Sequence, residues 1–245
     1  DIDRLMVTNL AGASLSATGS LTDLSLTPSG TVDVSIVSAD GAELISTLAA
    51  QVSGPDWLSL AADRIGATPD LLSDAQLSFI ASTAPEDKDR SWTLSGNAKA
   101  ASGSASFTGN WKSGEDLGDA DGGWQVTATQ QEPLNFLSLA GIELVPLGAP
   151  GPATVELKAN GKPDVSLELD LAYSADGTAA TFAGTLSSGA DGPQLAGKVS
   201  LTSDDLDPYL LATGLALPGM GFGTPVTLQT TMSSSGGSLE MKDIA

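Results

Sequence analysis

From Val165 to Leu171 the chain reads Val-Ser-Leu-Glu-Leu-Asp-Leu, aliphatic at every odd position and polar at every even one. In an extended chain this puts grease on one face and water-seeking groups on the other. The same period runs through Val32, Val34 and Ile36, Leu77 and Phe79, Phe107 and Trp111, and Trp124 and Val126. It continues through Val155 and Leu157, Leu195, Val199 and Leu201, and Val226 and Leu228. A sheet with one aliphatic face must hide that face, either under a second sheet or by curling over itself. Asp-Gly pairs punctuate the strands at Asp40-Gly41, Asp176-Gly177 and Asp191-Gly192. Glycine supplies the positive φ that a tight turn needs, so each is expected to be a turn. Ala175–Thr178 is expected to be a tight hairpin.

Helical patches interrupt the alternation at Gly41–Ala50, Pro55–Ile65, Pro133–Gly141 and Asp207–Gly214. Proline near the start and glycine after the end mark most of them. Ser203 or Asp204 is placed to cap the last. After each proline-started helix the strands return in the same order. The small-Gly-x-apolar signature recurs at Thr18-Gly19, Thr108-Gly109 and Ala183-Gly184, steps of 90 and 75 residues. Such a period is too long for a simple solenoid. It fits a helix plus four or five antiparallel strands, with repeats at about 1–54, 55–131 and 132–206 and a partial one at 207–245. Leu5–Ala11 resembles Leu239–Ala245, so the chain enters and leaves at one phase of the repeat. The intact protein is expected to be longer.

Composition excludes whole classes of function. Ten Lys and Arg stand against thirty Asp and Glu, a formal charge of −20. That charge repels phosphate backbones, so no nucleic acid is expected as a partner. There is no Cys and no His. Nucleophile systems built on His, zinc sites built on Cys or His, disulfides and iron–sulfur clusters are therefore out of reach. Aromatic residues make up 4% of the chain, little mass for a closed sandwich core.

The acidic groups carry little chemistry. Asp116, Asp119 and Asp121, and the Glu86–Asp89 run, offer oxygen ligands for calcium, but the downstream Glu of an EF-hand loop is missing. Asp204 and Asp205 fit the acidic first turn of a helix. Glu168 and Asp170 project from the polar face of a regular strand, and Glu143 and Glu156 lack a pocket loop. A glycosidase pair is not expected. No Ser sits in a Gly-x-Ser-x-Gly elbow. The chain is read as having no enzymatic activity, no metal and no cofactor. Trp92, Trp111 and Trp124 fall on the apolar phase of their strands, and Trp57 on a helix.

The order of these pieces resembles the AsmA-like family of bacterial envelope proteins. Three segments carry the resemblance: Leu5–Leu26, Gly30–Ala49 and Gln194–Pro218. Each belongs to a pattern of strand, Asp-rich turn and Leu-rich helix that recurs over nearly the whole chain. The resemblance implies a mainly β fold, a long curled antiparallel sheet shaped as a taco-like repeating groove, with short helices at one rim. It also implies a periplasmic protein, tethered to the inner membrane by an N-terminal helix that this sequence lacks. In that family the apolar inside of the groove passes phospholipid between inner and outer membranes, which supports outer-membrane biogenesis and envelope homeostasis.

On this reading the partners are lipid acyl chains, with both membranes reached through segments outside the chain. The expected lining is Leu77, Phe79, Phe107, Val126, Val155, Leu157, Val165, Leu167, Leu169, Leu171, Phe182, Val199, Leu201, Val226 and Leu228. The alternative is a structural or adhesive extracellular β-repeat stabilised by calcium in its acidic loops.

Overall fold

The computed structural model describes residues 2–10, 12–22, 29–49, 62–83, 91–112, 121–139, 142–145, 147, 151–189, 192–216, 218, 220–235 and 238–245. The alternating segments form thirteen strands in one sheet, arranged in chain order. They are β1 (Ile2–Leu10), β2 (Ala13–Thr22), β3 (Ser29–Asp40), β4 (Ser73–Thr83), β5 (Ser91–Lys99), β6 (Gly103–Lys112) and β7 (Asp121–Gln130). The series continues with β8 (Ala153–Lys162), β9 (Ser166–Ala175), β10 (Thr178–Gly189), β11 (Gly192–Ser203), β12 (Val226–Ser235) and β13 (Ser238–Lys242). Every neighbouring pair is antiparallel. Ten-residue strands rise about 3.3 Å per residue and neighbours stand about 4.8 Å apart, so the sheet is roughly 30 Å by 60 Å. It is open and at most weakly curled, with β1 and β13 as its edges.

Among the described residues, helices interrupt the sheet between β3 and β4, β7 and β8, and β11 and β12, so a helical connection recurs every four strands at the same end of the sheet. These are α1 (Gly41–Ala49), α2 (Leu134–Leu139) and α3 (Asp207–Ala212). A helical stretch at 62–66 and a 3-10 turn at Pro69–Leu72 also lie between β3 and β4. The rest of the expected Pro55–Ile65 helix, with Trp57, falls outside the described residues.

Two turn expectations need correction. Asp40-Gly41 is not a hairpin turn. The Asp40 Oδ1 atom accepts the Ala42 and Glu43 N–H groups at 3.0 Å each, capping α1 where the strand runs straight into the helix. Neither Ser203 nor Asp204 caps α3. The Ser203 hydroxyl is buried against Thr178 Oγ1 at 2.7 Å, and the Asp207 N–H is taken by Asp205 Oδ1 at 2.9 Å. The same Asp205 oxygen accepts the Thr224 N–H at 3.1 Å, so it braces the loop returning to β12 as well as the helix start. The Asp176-Gly177 hairpin forms as expected, with Ala175 opposite Thr178 and Gly177 at φ 63°.

A cluster of buried apolar side chains lies under α1. Ala13, Ala17, Val34 and Ile36 of the sheet meet Leu44 of the helix, with Leu15, Val32, Leu77 and Phe79 around them. At the same end of the sheet α2 and α3 add smaller buried patches, with Leu134 and Ala212 buried and Phe136 against Tyr173; no second sheet covers the strands among the described residues.

Candidate functional site: a ladder of apolar rows on one face

Residues directly opposite each other in neighbouring antiparallel strands put their side chains on the same face. Following the pairs from strand to strand resolves one face into four rows. The first runs Val7, Leu15, Ile36, Leu77, Ala98, Ala105, Ala128, Val155, Tyr173, Ala180, Leu201, Leu228. The second runs Leu5, Ala17, Val34, Phe79, Gly96, Phe107, Val126, Leu157, Leu171, Phe182, Val199, Thr230. The third includes Val32, Ala81, Leu94, Trp124, Ala159, Leu169, Met232 and Met241. The fourth includes Trp92, Trp111, Leu167, Leu186 and Leu195. Thirteen of the fifteen residues expected from alternation fall within these rows. Val226 is a further step toward the helical rim, opposite Ser203.

Val165 is the exception and a correction. It lies in the turn between β8 and β9, where its N–H reaches the Lys162 carbonyl at 3.0 Å. It is 63% exposed, whereas Leu167 is 4% exposed. Alternation gives both the same phase, but β9 begins at Ser166.

Rings and glycines share this face in pairs. A β-carbon on Gly109 would stand 2.6 Å from Cε3 of Trp124, and one on Gly96 would stand 2.5 Å from Cζ of Phe107. Glycine therefore makes room for a ring reaching over from the next strand. Trp92 and Trp111 stack with centroids 6.4 Å apart, and Trp111 and Trp124 at 5.0 Å. All three tryptophans are half-buried, so the stack forms part of the surface of the face. Alternation located the indoles but carried no signal for the stacking, which depends on the register between β5, β6 and β7.

The helical rim borders the first row. Phe136 of α2 meets Tyr173 edge-on with centroids 6.2 Å apart, and the Tyr173 and Tyr209 hydroxyls are hydrogen-bonded at 3.0 Å. Burial, reinforced by the bond to Tyr209, pushes the Tyr173 phenol well above the ordinary value. Val145 donates its N–H to the Ala212 carbonyl at 2.7 Å, so the segment after α2 is tied to the end of α3. The buried Asp207 carboxylate accepts from the Thr224 hydroxyl and from the Gly221 N–H, the latter at 2.8 Å. These bonds, the hydroxyl first, hold its pKa below the ordinary carboxylate value.

The other face is mainly polar, with Met6, Val37 and Ile80 exposed among its polar residues. Ser78, Asn97, Ser106 and Thr127 form one of its rows, and Lys158 stands opposite Asp170. Glu156, Glu168 and Asp170 are exposed on this side. Glu143 is also exposed, in the segment after α2. No group of three or more metal-ligating side chains occurs among the described residues. Asp121 opens β7 opposite Lys112, while Asp116, Asp119 and Glu86–Asp89 fall outside the described residues. No helix among the described residues is long and apolar enough to cross a membrane.

Comparison with known proteins adds no neighbour: the chain matches no family model, no curated protein and no solved structure.

Proposed function

We propose that the apolar face binds the acyl chains of lipids, and that the protein is a non-enzymatic segment of a periplasmic groove that carries phospholipid between inner and outer membranes. One observation carries this reading. The apolar rows cross the sheet from β1 to β12 without a charged residue, and no second sheet lies over them among the described residues. A continuous apolar face without a second sheet over it is the kind of patch that marks a binding surface in soluble proteins. An acyl chain lying along a row gains about 0.8 kcal/mol for each methylene it buries, and needs no polar partner for its tail. The polar face, with a net charge of −20 on the chain, keeps the loaded protein in solution. Phospholipid as cargo, and the two membranes as its ends, follow from the resemblance to the AsmA-like pattern.

The test is mass spectrometry of an organic extract of the purified protein, with Leu171→Glu as its partner. Leu171 sits mid-strand in the second row, flanked by Leu157 and Phe182. The wild type should carry phospholipid, and the variant, with a wild-type circular dichroism spectrum, should carry little. An extract of the wild type without lipid, or a folded variant that keeps its full load, sinks the reading.

A further inference from the structure

Large apolar side chains stand exposed around α3, in one region of the helical rim. Leu211 and Leu215 come from the helix and its exit, Ile142, Val145 and Leu147 from the segment after α2, and Phe222 from the loop that returns to β12. Backbone bonds gather them. The Val145 N–H reaches the Ala212 carbonyl at 2.7 Å, and the Leu215 N–H the Leu210 carbonyl at 2.9 Å. A six-residue helix is about 9 Å long, so both its ends, with the segments tied to them, share one small area of the rim.

Phe222 is 95% exposed, and its loop is held in place. The residue sits between Gly221 at φ 98° and Gly223 at φ 81°. The Asp207 carboxylate accepts the Gly221 N–H at 2.8 Å and also the Thr224 hydroxyl. Asp205 Oδ1 accepts the Thr224 N–H at 3.1 Å, and the Asp205 carboxyl carbon lies 3.8 Å from the point where a Gly223 β-carbon would stand. Two carboxylates at the start of α3 thus clamp the backbone on both sides of the ring. They present it to water, a position that costs free energy until something apolar covers it.

The contact that covers it is apolar. No Lys or Arg occurs between Lys112 and Lys158 or between Lys198 and Lys242, so these segments bring no cation to a phosphate or a carboxylate. The region also joins the apolar face. The Tyr209 hydroxyl of α3 is bonded to that of Tyr173 in the first row at 3.0 Å, and the Phe222 loop runs into β12, whose Leu228 lies in the same row. We infer that the α3 rim seats on the surface of a lipid bilayer, with Phe222 entering between the head groups, and that this sets the first row beside the lipid it takes up. The inference rests on the proposed acyl-binding face and adds the end at which that face meets its membrane.

The test is flotation of the full chain with phosphatidylcholine vesicles, whose zero net charge avoids repulsion by a chain of charge −20. The wild type should float, and equally at about 0.1 M and about 1 M salt, because an apolar contact is not screened. Phe222→Ser should bind about tenfold more weakly, the loss expected when one large apolar side chain no longer leaves water. Phe222→Trp should retain binding, since an indole suits the membrane interface. Val165→Ser removes an exposed apolar side chain at the opposite end of the sheet and should change nothing. Circular dichroism checks that each variant is folded, and the wild-type flotation needs no variant.

A wild type that stays with the soluble fraction, or that binds only at low salt, overturns the inference. So does a folded Phe222→Ser variant that floats like the wild type, or a Val165→Ser variant that loses as much. Self-association of the wild type that Phe222→Ser abolishes, without flotation, would give the patch to a second copy of the chain and overturn the bilayer as its occupant. The lipid extract separates this inference from the reading beneath it. Lipid in the extract without flotation removes the bilayer contact alone, whereas flotation with an empty extract removes the acyl-binding reading and leaves the contact standing.

Discussion

The indole of Trp124 lies across Gly109 of the neighbouring strand, with its Cε3 atom 2.6 Å from the point where a Gly109 β-carbon would stand. The two are directly opposite in the β6–β7 register. A glycine in mid-strand ordinarily weakens a strand through backbone entropy and a missing side chain. Here the ring that reaches over it fills the space. Gly109→Ala should therefore destabilise the protein, by about 1–3 kcal/mol, the cost of over-packing a fitted site. The same substitution made in a Trp124→Ala background should cost much less. Urea unfolding of the four members of this cycle measures the coupling, and simple additivity would contradict the contact.

The turn that leads into β12 hangs on the carboxylate of Asp207, which accepts from Thr224 and Gly221. Hydrogen bonds to the charged form depress its folded pKa below the ordinary 3.8. The unfolded chain therefore binds the proton more readily than the folded one, and the sign follows from linkage. The contribution is fully present above the ordinary carboxylate value. It is lost as pH falls through the depressed folded value. Asp207→Asn should lower stability at neutral pH and flatten the acid limb of a stability-versus-pH curve. A variant whose acid limb matches the wild type would show that Asp207 does not couple to folding.

The chain has two tyrosines, and their hydroxyls meet. Burial and the bond to Tyr209 hold the Tyr173 proton above the ordinary 10.0. An ultraviolet titration should then find a phenol that resists ionisation where a free tyrosine gives up its proton. The folded state holds this proton more tightly than the unfolded chain, so stability should fall as pH rises past 10.0. Tyr209→Phe should cost about 1 kcal/mol, the usual net value of a hydrogen bond. It should also bring the Tyr173 titration closer to that of a free phenol. An unchanged Tyr173 titration in that variant would leave burial as the whole cause.

Period-two alternation carried most of the fold because a strand with one buried face needs it. Phe107, Val126, Leu157, Leu171 and Phe182, from five different strands, fall into a single row. Three things were not legible. Alternation does not mark where a strand starts, so Val165 shares the phase of Leu167 but sits outside β9. Sequence distance also hides register. Ala98, Ala105 and Ala128 of the first row are far apart in sequence and become neighbours only when β5, β6 and β7 pair. The strand-to-helix passage at Asp40-Gly41 carries the same dipeptide as a hairpin. The hydrogen bonds that the Ala42 and Glu43 N–H groups donate to Asp40 Oδ1 separate the two outcomes.

The contrast between Leu167 and Val165 also predicts how the sheet comes apart. Leu167→Ala removes a side chain that is 4% exposed and should cost about 2–5 kcal/mol, while Val165→Ala, at 63% exposure, should change stability by less than about 0.5 kcal/mol. The strands pair only with their neighbours in sequence. Stability in such an array is close to a sum of local terms and nearest-neighbour interfaces, so damage should stay local. Hydrogen exchange read strand by strand should show Leu167→Ala accelerating β8, β9 and β10, with β2, β3 and β4 close to wild type under the Leu44 cluster. β13, exposed along its whole length, should exchange fast in every variant. Uniform acceleration across all thirteen strands would instead show that the sheet unfolds as one cooperative body.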